Sequence, residues 1–338
     1  MARRAVAISK ATSAVSAALV MLLVLVPIGA VAMRAGFSEG AFVGLGVADW
    51  AALKFTVVQA GLSALFSAAL AVPVARALAR RQFWGRGALV LLMGAPFILP
   101  VIVAVMGLLA VFGQAGVLNG VLSALGLPKL QIYGLHGVVL AHVFFNLPLA
   151  TRLLLQGWDA IPQERFRLAA SLGMGSREVF RLLEWPMLKE RLPAVMLVVF
   201  LICLSSFAVA LTLGGGPAAT TLELAIYQAF HLEFDLAQAA LLALMQLVLV
   251  LVVGMVALRL GQVAGFGAGR GALRQRWDAG APLLKAQDAL VLSLAVVFIG
   301  LPLAVVVLRG AVQIMSLPAS VWSAALTSLV IALGSTVL

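Results

Sequence analysis

Apolar residues run in blocks of about twenty along this chain, which is the length of helix needed to cross the hydrocarbon core of a bilayer. The blocks lie near 11–33, 53–75, 88–112, 135–155, 193–213, 236–258 and 289–308, and an eighth begins near 322. They lack the alternation of apolar and polar residues that marks barrel strands, and a helix satisfies its own backbone groups in lipid. The pattern therefore predicts an all-α polytopic membrane protein.

One long polar segment, residues 159–193, interrupts this pattern between the fourth and fifth blocks. Pro162 suits the first turn of a helix, where its missing N–H does no harm. The sequence Gly-Met-Gly at 173–175 then ends that helix, and Ser176 is a suitable N-cap for a second helix over 177–188. We therefore predict a helix-turn-helix, and residues 159–193 are called the elbow below.

Two interpretations of the elbow are open. Each helix has an apolar face, which is typical of a helix lying on a membrane surface. Docking against another protein is the alternative. Two features favour docking: Ala169, Ala170 and Gly173 are small enough to permit close backbone approach, and basic and acidic residues nearly balance, whereas a lipid-surface helix is usually strongly basic.

The composition agrees with a membrane protein, because 64% of the residues are hydrophobic, 10% are charged and the mean hydropathy is +1.15. All but four of the 23 Lys and Arg residues lie before the first block, between the second and third, between 152 and 191, or between 259 and 285. The positive-inside rule then places the N-terminus and the elbow in the cytoplasm. The net charge of +11 is a consequence of this topology, so nucleic acid is not expected as a partner.

The first apolar block has a competing interpretation. Ala30-Val31-Ala32 matches the small-x-small pattern of a signal-peptide cleavage site. The apolar stretch before it is longer than that of a typical signal peptide, which favours a retained membrane span.

Catalytic chemistry is not indicated by any motif in the sequence. No Lys follows Gly and precedes Ser or Thr, so the phosphate loop of P-loop ATPases is absent. His136, His142 and His231 lack metal-site spacing and are interpreted as satisfied helix or interfacial residues. Cys203, the only cysteine, is interpreted as a buried apolar residue of the fifth block. We therefore predict a protein that is not an enzyme and binds no metal.

An ion-coupled secondary transporter is the main alternative from another functional class. Such proteins usually carry carboxylates at membrane depth. All twelve Asp and Glu residues of this chain fall in loops or near the edges of the apolar blocks. A solute pathway without a visible ion carrier, together with a docked elbow, indicates an energy source outside this chain.

A weak internal repeat suggests two copies of one unit. The sequence VPIGAVAMR at 26–34 is similar to LPLAVVVLR at 301–309, and residues between Trp50 and Ser63 match residues between Trp322 and Ser335 at a constant offset of 272. Chance similarity between helices rich in Ala, Val and Leu is the alternative. A genuine repeat predicts a longer intact protein with a second elbow near residue 431.

The repeat gives a domain organisation with four parts. They are an N-terminal cytoplasmic tail with the first transmembrane helix (1–48), a first copy (49–260), a cytoplasmic linker (261–288) and the start of a second copy (289–338). The linker begins with GQVAGFGAGRG at 261–271, in which glycine provides backbone freedom. We expect Arg270, Arg274 and Arg276 in this linker to meet anionic lipid.

The elbow carries a motif, because residues 167–173 read RLAASLG and Pro186 follows thirteen residues after Gly173. This pattern resembles the Glu-Ala-Ala…Gly…Ile-x-Leu-Pro loop of membrane subunits in type I ABC importers. The resemblance implies a coupling helix seated in a groove of a cytoplasmic ATPase, present in two copies, which binds ATP and Mg²⁺ while this subunit binds no cofactor. The candidate coupling residues are Arg167, Ala169, Ala170, Gly173, Arg177, Leu183 and Pro186.

A second motif narrows this resemblance. Leu-Gly-Gly-Gly-Pro at 213–217, followed by TTLELAIYQ at 220–228, is similar to permeases of bacterial thiamine and thiamine pyrophosphate importers. Ferric-iron importer permeases share the two-copy layout and related motifs and are the alternative. The resemblance implies two tandem type I bundles of six helices, the second incomplete here, in the bacterial inner membrane with a periplasmic substrate-binding protein as partner.

The stretch 214–235 is predicted to face outside and supplies the candidate substrate-pathway residues. Two accounts of this stretch are open. In the simpler account, the glycine run is only a turn. In the other account, Glu223 and Tyr227 attract a cation such as a thiazolium ring through charge and the ring face. The candidates are Gly214, Gly215, Gly216, Pro217, Thr221, Glu223, Tyr227 and Gln228.

Overall fold

The computed structural model describes residues 2–36, 44–216, 219–259 and 276–337, and all regular structure in these ranges is helical. The α-helices in chain order are α1 (Ala2–Gly36), α2 (Val47–Arg80), α3 (Arg86–Leu92), α4 (Ala95–Ile98), α5 (Val101–Phe112), α6 (Val117–Ala124), α7 (Leu135–Asp159), α8 (Gln163–Ser171), α9 (Ser176–Val179), α10 (Trp185–Leu204), α11 (Phe207–Leu213), α12 (Leu222–His231), α13 (Leu236–Arg259), α14 (Pro282–Gln313) and α15 (Ala319–Val337). The prediction of an all-α membrane protein is confirmed.

Within these ranges, seven helical segments are long and apolar enough to cross a membrane, and an eighth results if the bent pair 176–204 and 207–213 is one span. Six of the predicted blocks correspond to α1, α2, α7, α13, α14 and α15. Pro217, Arg270, Arg274 and the glycine-rich start of the predicted linker, 261–271, lie outside the described residues.

The third predicted block, 88–112, is wrong in its bounds. The structure divides this stretch into α3, α4 and α5, and the segment that can cross a membrane is 101–124, formed by α5 and α6. Proline explains the difference, because Pro100 has no N–H to donate and disfavours helical backbone at the residue before it. Leu99 accordingly has an extended ψ of 140°.

The fifth predicted block, 193–213, is bent rather than straight. Helix α10 ends at Leu204, α11 begins at Phe207, and the segments on either side of this break are inclined at 66°. Ser205 and Ser206 lie outside the helical region, with ψ values of 66° and 72°. The break leaves backbone groups without helical partners, and side chains of other helices satisfy them, as described below.

Helices α2 and α7 form the centre of the bundle and share its most extensive interface. Small side chains let two helix backbones approach closely, which matters in lipid because no hydrophobic effect drives helices together there. Helix α10 packs on both α2 and α7, and α14 packs on α2 and α5. The buried small residues of α2 include Ala60, Ser63, Ala64, Ser67, Ala68, Ala71 and Ala75.

The buried side chains of the described residues form three groups. The first joins α2, α7, α10 and the elbow, and it includes Phe166 of α8. The second joins α2, α5, α7, α11 and α14 around Phe144, and the third joins α2, α12 and α13 around Leu222. The elbow therefore packs on the same core as three spans and is part of the bundle.

Candidate functional site

The first helix of the elbow, α8, ends in a glycine turn. Gly173 has a φ of +66°, a left-handed conformation that favours glycine. Its N–H donates to Ala170 O at 3.0 Å, and Met174 N donates to Ala169 O at 3.0 Å. This pair of bonds is the Schellman arrangement, which satisfies the last carbonyls of a helix. The predicted role of Gly173 as the end of the first helix is confirmed.

The second helix of the elbow differs from the prediction. Gly175, with extended backbone, is the N-cap, and Ser176 is the first helical residue rather than the cap. The helix does not end near 188, because α9 passes through a π-helical turn at Phe180–Glu184 directly into α10. Pro186 follows this turn and has no N–H for the carbonyl four residues earlier, which explains a change in hydrogen bonding there. The elbow is therefore rigidly joined to the fifth span.

The predicted coupling residues divide between the two sides of the elbow. Ala169 is buried and packs in the first core group, and Leu183 is partly buried beside it. The others are exposed: Arg167, Ala170, Gly173, Arg177 and Pro186.

Two exposed leucines, Leu168 in α8 and Leu172 at its C-cap, contradict the prediction that the apolar side chains of this helix share one face. Leu168 and Leu172 lie one helical turn apart and are 61% and 62% exposed. Two apolar side chains this exposed among charged neighbours mark a candidate contact surface for another molecule. These two residues, Leu168 and Leu172, are called the docking patch below.

A buried carboxylate anchors the elbow from beneath. Glu184, in the π-helical turn, is fully buried, and its two oxygens accept hydrogen bonds from two arginines. Arg76 Nε of α2 lies 2.6 Å from Oε2, and Arg276 Nη1 lies 2.6 Å from Oε1. Arg76 also stacks on the ring of Phe180, with its guanidinium carbon 4.5 Å from the ring centre. Each oxygen of this buried charge thus has a charged partner, which burial requires.

A second ion-pair group connects α2 to α14. Asp288 of α14 is buried and pairs with Arg80 through one oxygen, while its other oxygen lies 2.6 Å from Arg81 Nε. Arg80 Nη1 also donates to the hydroxyl of Ser176 at 3.4 Å. The elbow, α2 and α14 therefore meet at one end of the bundle.

The expectation that Arg276 meets anionic lipid is wrong. Its side chain is buried, and Nε and Nη2 donate to the two oxygens of Asp278 at 2.9 and 2.7 Å. Burial lowers the pKa of Arg276, but its hydrogen bonds and ion pairs with Asp278 and Glu184 outweigh burial, so this pKa lies above its ordinary value. The pKa of Asp278 is raised by burial, but the bonds from Arg276 outweigh this and bring it below its ordinary value.

The glycine run at 214–216 lies at the opposite end of α7 from the elbow, where Gly134 N donates to Leu213 O at 2.8 Å. Gly215 and Gly216 have φ values of +76° and +125°, which favour glycine. A Cβ on Gly215 would lie 3.0 Å from Tyr133 Cβ. The run is therefore a closely packed turn, which agrees with the simpler of its two accounts.

Helix α12 follows this turn and carries the other substrate-pathway candidates. Thr221 is fully buried as the N-cap, and its hydroxyl oxygen accepts from Leu224 N at 3.3 Å. Glu223, Tyr227 and Gln228 are partly buried. Glu223 and Tyr227 lie one turn apart on the same face, so the structure brings these two candidates together and gives Thr221 a capping position.

Glu223 lies at the break in the fifth span. Its carboxyl group interacts with the Ser205 hydroxyl and with the Phe207 amide, which is the first N–H of α11. Burial raises the pKa of Glu223, and these two hydrogen bonds oppose that effect in part. Tyr227 packs between Phe207 and His231, with ring centres 5.1 and 5.2 Å apart. A carboxylate beside an aromatic face is an arrangement that attracts organic cations.

Polar side chains from α2 and α7 satisfy the other groups of the break. Gln59 Nε2 donates to Cys203 O at 2.8 Å, replacing a bond that the interrupted helix cannot make. His142 is buried and bridges two hydroxyls, with Nδ1 3.1 Å from Ser63 Oγ and Nε2 2.5 Å from Ser206 Oγ. The interpretations of His142 as a satisfied helix residue and of Cys203 as a buried residue agree with the structure.

The buried charges under the elbow were not predicted from the sequence. One signal was available, because Arg76 and Arg80 are spaced by one turn at the end of an apolar block and face the same side. Their partners at 184 and 288 lie more than 100 residues away in the chain, and no local pattern identifies such pairs.

Comparison with known proteins gives a consistent result. The family described as "Binding-protein-dependent transport system inner membrane component" matches residues 70–262. The thiamine transport system permease protein ThiP of Escherichia coli (strain K12) is 44% identical over 296 residues, covering 86% of this chain and 54% of that protein. The protein of the same name from Brucella abortus (strain 2308) is 40% identical over 295 residues, with the same coverage. The chain thus spans about half the length of the curated relatives it matches.

A solved structure shares the fold. It is a bacterial alginate ABC transporter in complex with an alginate pentasaccharide-bound periplasmic protein, and the similar chain has a TM-score of 0.61 at 16% sequence identity. The match covers 73% of this chain and 91% of that chain. A likeness at this identity establishes the arrangement of helices.

Proposed function

Because this chain belongs to the family of binding-protein-dependent transport system inner membrane components, we propose that it forms the translocation pathway of an ATP-driven importer for thiamine or thiamine pyrophosphate. The observation that carries this proposal is the 44% identity to a thiamine permease across 86% of the chain. The glycine turn and α12, which bear the second motif, lie within the matched family region. The role of this subunit is transport without catalysis.

The elbow is the part that would receive energy from ATP. Its docking patch is apolar, exposed and surrounded by charged residues, which suits the groove of a cytoplasmic ATPase. We propose two copies of that ATPase, which hold ATP and Mg²⁺, while this subunit binds no cofactor. Ala170, Gly173 and Arg177 are exposed on the elbow and are the proposed contacts, together with Arg167 and Pro186.

The continuous helix from the elbow into the fifth span suggests how movement is transmitted. Helix α9, the π-helical turn and α10 form one uninterrupted segment from Ser176 to Leu204. A displacement of the elbow therefore moves this segment as a rigid body, up to the break at 205–206. Alternating access requires two bundle arrangements that differ by a few kcal/mol, and ATP-driven closure of the ATPase would favour one of them.

The proposed orientation follows from the charge pattern. Basic residues are concentrated at the end that carries the elbow, so that end faces the cytoplasm and the N-terminus lies on the same side. Glu223 and Tyr227 then lie toward the periplasm, where a substrate-binding protein would deliver the solute. Lipid of the inner membrane surrounds the bundle.

The experiment that tests this function is uptake of labelled thiamine into vesicles that contain the full-length permease, its ATPase and its binding protein. We expect accumulation that requires ATP and both partners. Accumulation without the ATPase, driven by a proton gradient, would instead favour an ion-coupled secondary transporter. Uptake of ferric iron in place of thiamine would favour the other importer class.

The negative charge of Glu223 in α12 is expected to favour uptake of cationic substrates. Glu223→Gln keeps the size of the side chain and one of its two acceptor oxygens, and it removes the charge. Loss of a partly solvated charge interaction is worth about 1 kcal/mol, so we expect roughly a fivefold decrease in thiamine uptake at low substrate concentration. Uptake of thiamine pyrophosphate, which is anionic overall, is expected to change less.

Glu233→Gln is the matched control, because Glu233 is an exposed carboxylate in the loop after α12. The measurement is the initial rate of uptake of thiamine and of thiamine pyrophosphate by Glu223→Gln, Glu233→Gln and the unaltered permease. Equal thiamine uptake by Glu223→Gln and the unaltered protein would remove Glu223 from the pathway.

A further inference from the structure

Residues 276–278, just before α14, contact the elbow at three places. Arg276 binds Glu184 in the π-helical turn, and its guanidinium carbon lies 5.0 Å from the ring centre of Phe166 in α8. Trp277 Nε1 donates to Met174 O, in the glycine turn, at 3.1 Å. Arg276, Trp277 and Asp278 are called the clamp below. The clamp thus contacts the first helix, the turn and the second helix of the elbow.

The clamp is built around a fully paired guanidinium. Nε and Nη2 of Arg276 bind both oxygens of Asp278, and Nη1 binds Glu184, while each of these three side chains is no more than 4% exposed. Two parallel bonds to one carboxylate need the planar fork of arginine, which lysine lacks. Since a buried charge is unfavourable unless it is paired, the elbow and the clamp each require the other in this position.

The same group of charges reaches the membrane spans. Glu184 binds Arg76 of α2 as well as the clamp, and Arg80, one turn further along α2, binds both Ser176 of the elbow and Asp288 of α14. The elbow is therefore connected to α2 and to the beginning of α14 through buried polar contacts, in addition to its direct helical connection to α10.

We propose that the clamp is a positioning element of the coupling elbow. It holds α8 and the docking patch at a fixed angle to α14, so that a movement of the elbow reaches α14 as well as α10. This inference rests on the proposed function, because it treats the elbow as the contact with an ATPase. Without the clamp, the elbow keeps its connections to α10 and α2 but loses its direct contact with the residues that lead into α14, so its displacement moves fewer spans.

The test uses the full-length permease with its ATPase and binding protein. It compares Arg276→Gln and Arg276→Lys with Lys285→Ala, since Lys285 is an exposed cation in the first turn of α14 and serves as the matched control. The first measurement is thiamine transported per ATP hydrolysed. The second is the rate of maleimide labelling of a cysteine introduced by Val179→Cys in a background where Cys203 and any other cysteine of the full-length permease are replaced by Ala, because Val179 is a fully buried residue of the elbow.

We expect Arg276→Gln to raise the labelling rate at position 179 and to lower transport per ATP, each on the order of tenfold, because it removes the three charged hydrogen bonds that Arg276 makes to Asp278 and Glu184. The ATPase should still co-purify with this variant. Arg276→Lys should recover part of both values because it retains the charge, and Lys285→Ala should change neither.

Unchanged labelling in Arg276→Gln would overturn the inference, and so would increased labelling with unchanged transport per ATP. If Arg276→Gln fails to insert, Trp277→Phe decides the question, since it removes only the bond to Met174 O and should change both values about twofold in the same directions. An ATPase that never binds the unaltered permease would contradict the proposed function, whereas the labelling rate would still test the position of the elbow.

Discussion

Gly173→Val is expected to lower thiamine uptake by more than tenfold while the permease still inserts in the membrane. A tenfold loss corresponds to an increase of about 1.4 kcal/mol in the activation free energy of transport. The residue has a φ of +66°, and a left-handed backbone disfavours a side chain by about 1–2 kcal/mol, more for a β-branched one. Apart from its chain neighbours, no atom of the described residues lies within 4 Å of a Cβ placed there, so the new side chain would point outward into a docked ATPase. Strain and obstruction therefore act together on the coupling turn.

Two controls separate these causes. Gly173→Asn adds a side chain of similar size that tolerates the left-handed conformation, so it tests obstruction with little strain. Gly126→Val introduces the same strain elsewhere, because Gly126 has a φ of +69° and equally open surroundings in the loop after α6. Uptake per inserted permease is the measurement. Normal uptake by Gly173→Val, or an equal loss in Gly126→Val, would count against docking at the elbow.

The course of the elbow could be predicted from the sequence because its signals are local. A glycine that ends a helix must adopt a conformation that other residues avoid, so the Gly-Met-Gly sequence indicated the turn directly. The cap of the second helix was misplaced by one residue, since Gly175 takes the N-cap position and the Ser176 hydroxyl binds Arg80 instead. A tertiary contact thus replaced the local one.

The bounds of the third and fifth spans could not be predicted from hydropathy alone. An averaged window counts Pro100 and Ser205 among apolar neighbours, although one interrupts the helix and the other occupies its break. The break at 205–206 is stable because Gln59 and His142, from two other helices, bind the groups it exposes. Such compensation depends on the assembled bundle and leaves no periodic pattern in the sequence.

Hydropathy also does not show which charged residues are buried. The acidic residues were expected in loops or near the edges of the apolar blocks, and the structure shows that Glu184 and Asp288 are buried at these places. Sequence position does not distinguish a solvated charge at a span edge from one that is enclosed by neighbouring helices. The difference matters for function, because enclosed ion pairs connect the elbow to α2 and connect α2 to α14.

Glu184→Gln is expected to produce the largest loss of stability, lowering the free energy of unfolding by about 3–5 kcal/mol, as removal of one member of a buried ion pair usually does. The carboxylate lies between Arg76 and Arg276, and each guanidinium binds a different oxygen. An amide has one acceptor oxygen, and its NH₂ group would face the second guanidinium donor to donor. The measurement is denaturant or thermal unfolding of the purified full-length permease in detergent.

Glu190→Gln is the matched control, because Glu190 is an exposed acid of the same continuous helix, six residues after Glu184. An exposed carboxylate contributes at most about 1 kcal/mol, so this variant should unfold almost as the unaltered protein does. The two substitutions remove the same charge from the same helix and differ in burial and in partners. A stability change for Glu184→Gln no larger than that of Glu190→Gln would mean that the arginines find other partners, and that the ion pairs of Glu184 do not hold the elbow to the bundle.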